Sequence, residues 1–335
     1  ALALTIPFTF GNVMRVFGRN GFYIKNTDVI EKLTQADTVV FDKTGTLTHS
    51  RTMDVQWQGE ALSITEKQWI RSLARNSTHP LSVIVTESLP VSVTLPVDDY
   101  REITGAGIAG RVEGHLVLLG SRKFVAGADT PAKSVVSSVF VSIDHKMKGS
   151  FLMQNQYRAG LYDVLAGLKP MQMHLLTGDN NSEEQNLRTY FTPETKLHFN
   201  QSPVDKLDYI NQLKELGRNV IMIGDGLNDA GALLKADVGI TIADDIYHFS
   251  PACDAILQSS GFGRLQDYLH FSRAALWIVY ASYFISFLYN IVGLSFAIQG
   301  LLSPVVAAIL MPLSSISVVT FASISVAMLS KARKF

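Results

Sequence analysis

Asp42 closes the short apolar run Val39-Val40-Phe41 and opens the string Asp42-Lys43-Thr44-Gly45-Thr46-Leu47-Thr48. A carboxylate at a strand end, followed by a turn that glycine eases, can attack a γ-phosphoryl group. The N–H groups of that turn and the Thr46 hydroxyl can hold the phosphoryl oxygens. A second acidic string, Gly224-Asp225-Gly226-Leu227-Asn228-Asp229, follows another apolar run. Asp225 there suits Mg²⁺, because a hard cation prefers carboxylate oxygens near the phosphate it neutralises; Asn228 and Asp229 stand in support. A third string, Thr177-Gly178-Asp179, is on its own a turn of common type.

These strings must be positioned by elements, and their spacing says which. Apolar runs end at Asp42, Thr177, Ile223 and Ile242. Helical patterns lie between them, over about 157–168, 181–190, 204–216 and 228–235. Apolar strands alternating with helices predict a parallel, doubly wound α/β sheet. Ligands bind such sheets at the carboxyl ends of the strands, which places the three acidic strings around one crevice. More than a hundred residues separate the first strand from the second. Within that gap, residues 52–148 read as an inserted α+β domain, with a helix near 65–88 and β-like runs at 110–112, 116–119 and 139–143.

Apolarity is concentrated at the ends of the 335-residue chain. From Ala274 to Ser330 there is no Asp, Glu, Lys or Arg. Two membrane spans are expected there, over about 274–299 and 301–329, parted by Ser303-Pro304. Lys331, Arg333 and Lys334 behind them, with Arg264 and Arg273 in front, put both outer ends on the cytoplasmic side. Residues 1 to about 18 read as the second half of a further span; no basic segment or cleavage signal marks a signal peptide. Formal net charge is zero, which gives no reason to expect a nucleic-acid partner. Cys253 is the only cysteine, so no internal disulfide forms, consistent with a reducing cytosol.

The string from Asp42 to Thr48 resembles the phosphorylation motif of P-type ATPases, and Gly224 to Asp229 resembles their hinge motif. Thr177-Gly178-Asp179 is similar to a third family motif. His79-Pro80, in an inserted domain, resembles the nucleotide-domain motif of the heavy-metal class. The resemblance implies a haloacid dehalogenase-like phosphorylation domain (23–51 and 149–264), a nucleotide-binding domain (52–148), a membrane segment with its cytoplasmic extension (1–22) and two membrane helices (265–335). Carried onto this sequence, the catalytic set is Asp42, Lys43, Thr44, Thr46, Thr177, Gly178, Asp179 and Lys206. Asp42, Thr44, Asp225 and Asp229 form the Mg²⁺ site, and His79, Pro80, Gly105, Gly107 and Gly120 take ATP. Related soluble phosphatases place a second Asp two residues after the nucleophile as general acid/base. Thr44 stands there, so the aspartyl phosphate should persist. Two positions depart from the family pattern: Ala74 replaces a Glu, and Ser121 replaces an Asn.

Tyr289-Asn290 and Met311-Pro312-Leu313-Ser314-Ser315 match motifs of copper-exporting members, which implies that Tyr289, Asn290, Met311 and Ser315 hold the transported metal. Thioether sulfur suits Cu(I). Two alternatives stay open at these positions: Met311 as a gap-filling core residue, and Tyr289 and Asn290 as helix–helix hydrogen bonds. Zinc-class members carry a Lys and an Asp in these spans, and both are missing. Ala1 to Pro7 is similar to the sequence that follows a Cys-Pro-Cys metal motif. The implied partners are ATP, copper or silver ion, membrane lipid and a copper chaperone. The implied location is a bacterial inner membrane, with the catalytic domains cytoplasmic. A membrane-anchored phosphatase of the same superfamily and an inactive truncated pump fragment stay open beside this reading.

Overall fold

A strand covered on both faces needs apolar side chains at every position, and the runs before the acidic strings satisfy that. The computed structural model describes residues 2–127, 137–226, 228–244, 253–300 and 303–335. Along the chain, α1 (Leu2–Arg19) leads to β1 (Phe22–Ile24), α2 (Thr27–Gln35), β2 (Thr38–Asp42) and β3 (Thr48–Gly59). Next come α3 (Ile64–Ala74), α4 (Pro80–Ser88), β4 (Asp98–Ile103), β5 (Gly107–Val112), β6 (His115–Gly120) and α5 (Arg122–Ala126). The strands β7 (Ser137–Ile143) and β8 (Lys146–Tyr157) precede α6 (Leu161–Gly167), β9 (Gln172–Leu176), α7 (Glu184–Tyr190) and β10 (Lys196–His198). The remaining elements are α8 (Pro203–Glu215), β11 (Val220–Gly224), α9 (Ala230–Lys235), β12 (Val238–Ala243), β13 (Ala255–Gln258), α10 (Leu265–Ile298) and α11 (Pro304–Ala332).

One sheet runs in the order β1-β13-β12-β11-β2-β9-β10. Its neighbours pair in parallel except at β1, which lies antiparallel on β13. This is the expected doubly wound α/β sheet. β2 and β11 are buried at every position, as a parallel sheet flanked by helices requires. Val40, Leu176 and Met222 pack on Ile210 and Leu213 of α8 and Leu233 of α9. The second sheet, β3-β8-β7-β6-β5-β4, is antiparallel in its described pairings, with α3 and α4 covering a core that includes Leu73, Val85, Val117 and Phe151.

The chain packs as two units, one of residues 1–48, 158–181 and 186–335, the other of 49–157 and 182–185. In the first unit, α1 lies against α10 and α11, and Asn12 donates to Ser323 Oγ at 3.2 Å. Phe17, Phe22, Tyr268, Phe271 and Phe335 form one aromatic cluster where α1 and α10 meet β1. The Tyr268 hydroxyl donates to the Asn20 carbonyl at 2.6 Å. That cluster fastens the apolar helices to β1, the edge of the sheet. Ser259–Ile298 and Val305–Ala332 are long and apolar enough to cross a membrane.

Several sequence expectations need correction. The single helix near 65–88 is two, because Pro80 starts α4 and drives the residue before it into extended backbone. The helix expected from 157 begins at Leu161, since β8 runs to Tyr157. The helix expected over 181–190 opens as a 3₁₀ turn, Asn181–Glu183, and becomes α-helical at Glu184. The first expected span is the distal part of a longer helix that starts at Leu265.

Candidate active site

β2, β9 and β11 lie side by side, so their carboxyl ends bring Asp42, Thr177 and Asp225 to one edge of the sheet. Asp42 is level with Leu176, and Phe41 with Ile223. Asp42 itself is 4% exposed. After it the chain turns sharply: the Leu47 and Thr48 N–H groups both donate to the Lys43 carbonyl, and Gly45 takes a φ of +75°. Two carbonyls of this turn are held by one side chain. Buried Arg158 donates through Nη2 to Gly45 O at 3.0 Å and through Nε to Thr46 O at 2.8 Å. Its Nη1 meets Asp244 at 3.2 Å. Thr46 is fully buried, and its hydroxyl oxygen has no hydrogen-bond partner.

Lys206 is the cation of the site. Its Nζ stands 2.5 Å from Asp42 Oδ1 and 2.7 Å from Asp229 Oδ1. A capping box places it: Ser202 Oγ accepts from Asp205 N–H, and Asp205 Oδ2 accepts from Ser202 N–H, so α8 starts one turn before Lys206. Asp229 occupies the cap position of α9 but makes no side-chain cap, because its carboxylate turns to Lys206. A Cβ on Gly224 would lie 2.7 Å from Asp229 Oδ2, so only glycine fits there.

Burial, then the Asp229 charge, hold the Asp42 carboxyl well above its ordinary range, at about 7, against the opposing pull of Lys206. Asp229 is raised as well, burial outweighing Lys206. Burial pulls the Lys206 ammonium down, and the two carboxylates more than offset it, leaving that group raised. A second pair sits close by. Lys43 Nζ is 2.6 Å from Asp179 Oδ2, and the Thr44 hydroxyl donates to the same oxygen at 3.1 Å. Burial pushes the Asp179 carboxyl up, but Lys43 and Thr44 bring it below its usual value. Thr177 Oγ1 accepts from Asp179 N–H across Gly178.

The donor set suits a hard cation. Asp229 Oδ2 is buried without a hydrogen-bond partner among the described residues, and Asp42 and Asp229 together exceed the charge that Lys206 supplies. Asp225 is half-buried, with Oδ1 accepting from Asn228 N–H at 3.3 Å. Among the described residues, no three His, Cys, Asp or Glu side chains could hold a metal ion as a group. Mg²⁺ does not need such a cage, because it keeps waters and takes one or two carboxylates together with substrate phosphates. Leu227 lies outside the described residues.

The second unit holds a cavity of about 360 Å³. His79, Gly105, Gly107 and Gly120 line it, and Pro80 does not. His79 caps α4, its Nδ1 accepting from Leu81 N–H at 3.2 Å, so the ring proton resides on Nε2. Pro80 fills the first helical position, where no N–H is needed. Gly105 takes a φ of +73° in the turn before β5. Gly107 pairs with Gly120 across β5 and β6, and a Cβ on either would come 2.3 Å from a facing carbonyl oxygen. These two glycines therefore answer first to strand packing. Ala74 is buried in the core, and Ser121 caps α5 through Phe124 N–H.

In the long helices, Tyr289 of α10 donates its hydroxyl to the Leu310 carbonyl of α11 at 3.2 Å. Asn290 is exposed and Ser315 half-buried in this chain. The Met311 side chain lies outside the described residues. Arg158 and Glu102, the one carboxylate among the described residues that line the 360 Å³ cavity, escaped the sequence reading. Glu102 lies on β4, a strand whose apolar residues are too few to signal it. Arg158 follows the long β8, and no motif in its own neighbourhood marks it.

A buried carboxylate stands at a strand end of this parallel sheet, and that arrangement defines a class. A family profile described as haloacid dehalogenase-like hydrolase matches residues 36–237, and the chain belongs to that family. A copper-exporting P-type ATPase of Staphylococcus haemolyticus is 31% identical over 96% of this chain and 42% of its own length. One from Staphylococcus aureus is 30% identical over 96% of this chain and 41% of its own length. The chain thus spans about two fifths of these relatives. A zinc-transporting PIB-type ATPase in the E2.Pi state shares the fold at a TM-score of 0.80, with 22% identity over 97% of this chain and 55% of its own. The catalytic domain of a CPx-ATPase, CopB-B, solved to follow changes on nucleotide binding, is 29% identical. It covers 76% of this chain and 98% of its own, with a TM-score of 0.54. Over 96% of its length the chain is thus similar to copper-exporting P-type ATPases.

Proposed function

We propose that this chain is the catalytic and C-terminal membrane part of a pump that moves a soft monovalent cation, Cu(I), across a membrane at the cost of ATP. The observation that carries the reading is Asp42, buried at a strand end with Lys206 at 2.5 Å and no second carboxylate two residues on. Asp42 Oδ forms a bond to the γ-phosphorus of ATP as the bond to the β-γ bridging oxygen breaks, and ADP leaves. Lys206 carries the charge that develops on the phosphoryl oxygens. Mg²⁺ would be held by Asp42, Asp225 and Thr44, with Asp229 behind, and would supply further charge neutralisation. The Thr44 hydroxyl is directed to Asp179 and has no acid/base capacity, so nothing at that position activates water against the adduct. The phosphatase reading lacks its general acid/base for this reason.

The unit with His79 takes the nucleotide. Among the membrane helices, the absence of acids and of Lys or Arg from Ala274 to Ser330 fits a soft ligand set better than a zinc path. Tyr289, Asn290, Met311 and Ser315 are the proposed metal-facing side chains. We place the protein in a bacterial inner membrane, with the soluble units cytoplasmic; silver ion and a copper chaperone complete the proposed partners. Labelled ATP given to the full-length protein in the presence of Cu(I) should leave acid-stable label, and Asp42→Asn should leave none. Label retained in that variant would overturn the nucleophile. Stimulation by Zn²⁺ in place of Cu(I) would overturn the cargo.

A further inference from the structure

We propose that Glu102 fixes the direction in which a nucleotide lies in the cavity of the second unit, by accepting a hydrogen bond from the 6-amino group of adenine. The inference rests on the reading of that cavity as the nucleotide site. The cavity walls are apolar through Leu81, Val85, Ile103, Ile108, Leu119 and Val139. Such walls suit a flat ring and not a triphosphate. Among the described residues no Lys or Arg lines the space, and Glu102 is the one acid. An anion repels phosphate, so the triphosphate lies away from Glu102 and the base end lies toward it.

The carboxylate is held for that task. Ser77, itself buried, donates to Glu102 Oε1 at 2.8 Å, and Tyr100 donates to Oε2 at 2.9 Å. Each carboxylate oxygen has two acceptor sites, so one on each oxygen remains. Ser77 Oγ in turn accepts from His79 N–H at 3.1 Å. Glu102 therefore also steadies the turn that sets His79. A carboxylate can only accept, which favours the amino group of adenine over a ring with hydrogen at that carbon.

The test is a cycle between residue and ligand group, read by calorimetry on the full chain. Wild-type protein should bind ATP about tenfold tighter than purine riboside triphosphate, which lacks the amino group, as expected for a charge-assisted hydrogen bond. In Glu102→Ala the ratio should fall to near one, whatever happens to overall affinity. Glu102→Gln keeps the shape without the charge and should lower the ratio at least threefold, which covers the case of an Ala variant too damaged to bind. A ratio unchanged in the variants overturns the role of Glu102 and leaves the nucleotide site standing. Failure of wild-type protein to bind either compound overturns both.

Discussion

Around Asp42, buried Lys206 and Lys43 meet carboxylates at hydrogen-bond distance, with Asp42 and Asp229 closed off from water and Asp179 open to it; around His79, an apolar cavity of about 360 Å³ is lined, among the described residues, by one acid and no Lys or Arg. The contrast teaches what each place is built to handle. Phosphoryl transfer moves charge, and fixed charges in a dry site stabilise it without reorganisation. Holding a purine asks for flat apolar walls and a few directional polar groups. The first site is costly to fold: Asp42 and Asp229 are both held above their ordinary range. The second is ordinary core chemistry with a mouth left open.

If the two regions divide the labour in this way, variants should separate them. The largest effect is expected for Lys206→Met. It leaves two buried carboxylates facing each other without a cation, a change that destabilises by roughly 3–5 kcal/mol. Phosphorylation from ATP should slow by about 10²–10³-fold. Rapid-quench labelling and a melting curve check both parts, and Lys206→Arg should recover stability better than rate.

Next comes His79→Ala, expected to weaken ATP binding on the order of tenfold. Phosphorylation by acetyl phosphate, a donor with no base to hold, should be unchanged. A loss with both donors would show that the two regions are not separable. This comparison sharpens the division more than either measurement alone.

The smallest effect concerns pH. Asp42 keeps its proton in the folded protein up to about pH 7, whereas an unfolded Asp gives it up near its ordinary 3.8. The unfolded state therefore loses its proton first as pH rises, and stability falls between those two values. Asp42→Asn has no proton to lose. Without Mg²⁺ it should melt above the wild type at pH 8, by on the order of 5 °C, and the gap should close toward pH 4. Mg²⁺ should narrow the gap at pH 8 by stabilising the wild type.

Much of the first unit was legible in the sequence because its strands are covered on both faces. Val39 to Phe41 and Val220 to Ile223 are apolar at every position; Asp42 follows the first run directly, and Asp225 follows the second after Gly224. The second unit was harder. β8 carries Lys146, Lys148, Gln154, Asn155 and Gln156 among its apolar residues, so no clean alternation appears. β4 reads Asp-Asp-Tyr-Arg-Glu-Ile, and every residue but Tyr100 is exposed. That is why Glu102 was missed. His79 was found from its neighbours, but its position as a helix cap, and the break it makes between α3 and α4, needed the fold. Arg158 was hidden for a different reason: its value lies in reaching Gly45 and Thr46, more than a hundred residues earlier.

Borotritide reduction of the ATP-treated full-length protein is the most direct test, because it converts an acyl phosphate to a labelled alcohol at the residue that carried it. Sequencing of the labelled peptide should place the tritium at position 42, only when ATP was present. Label at another carboxylate, or steady ATP hydrolysis with no trapped label at all, would contradict the account.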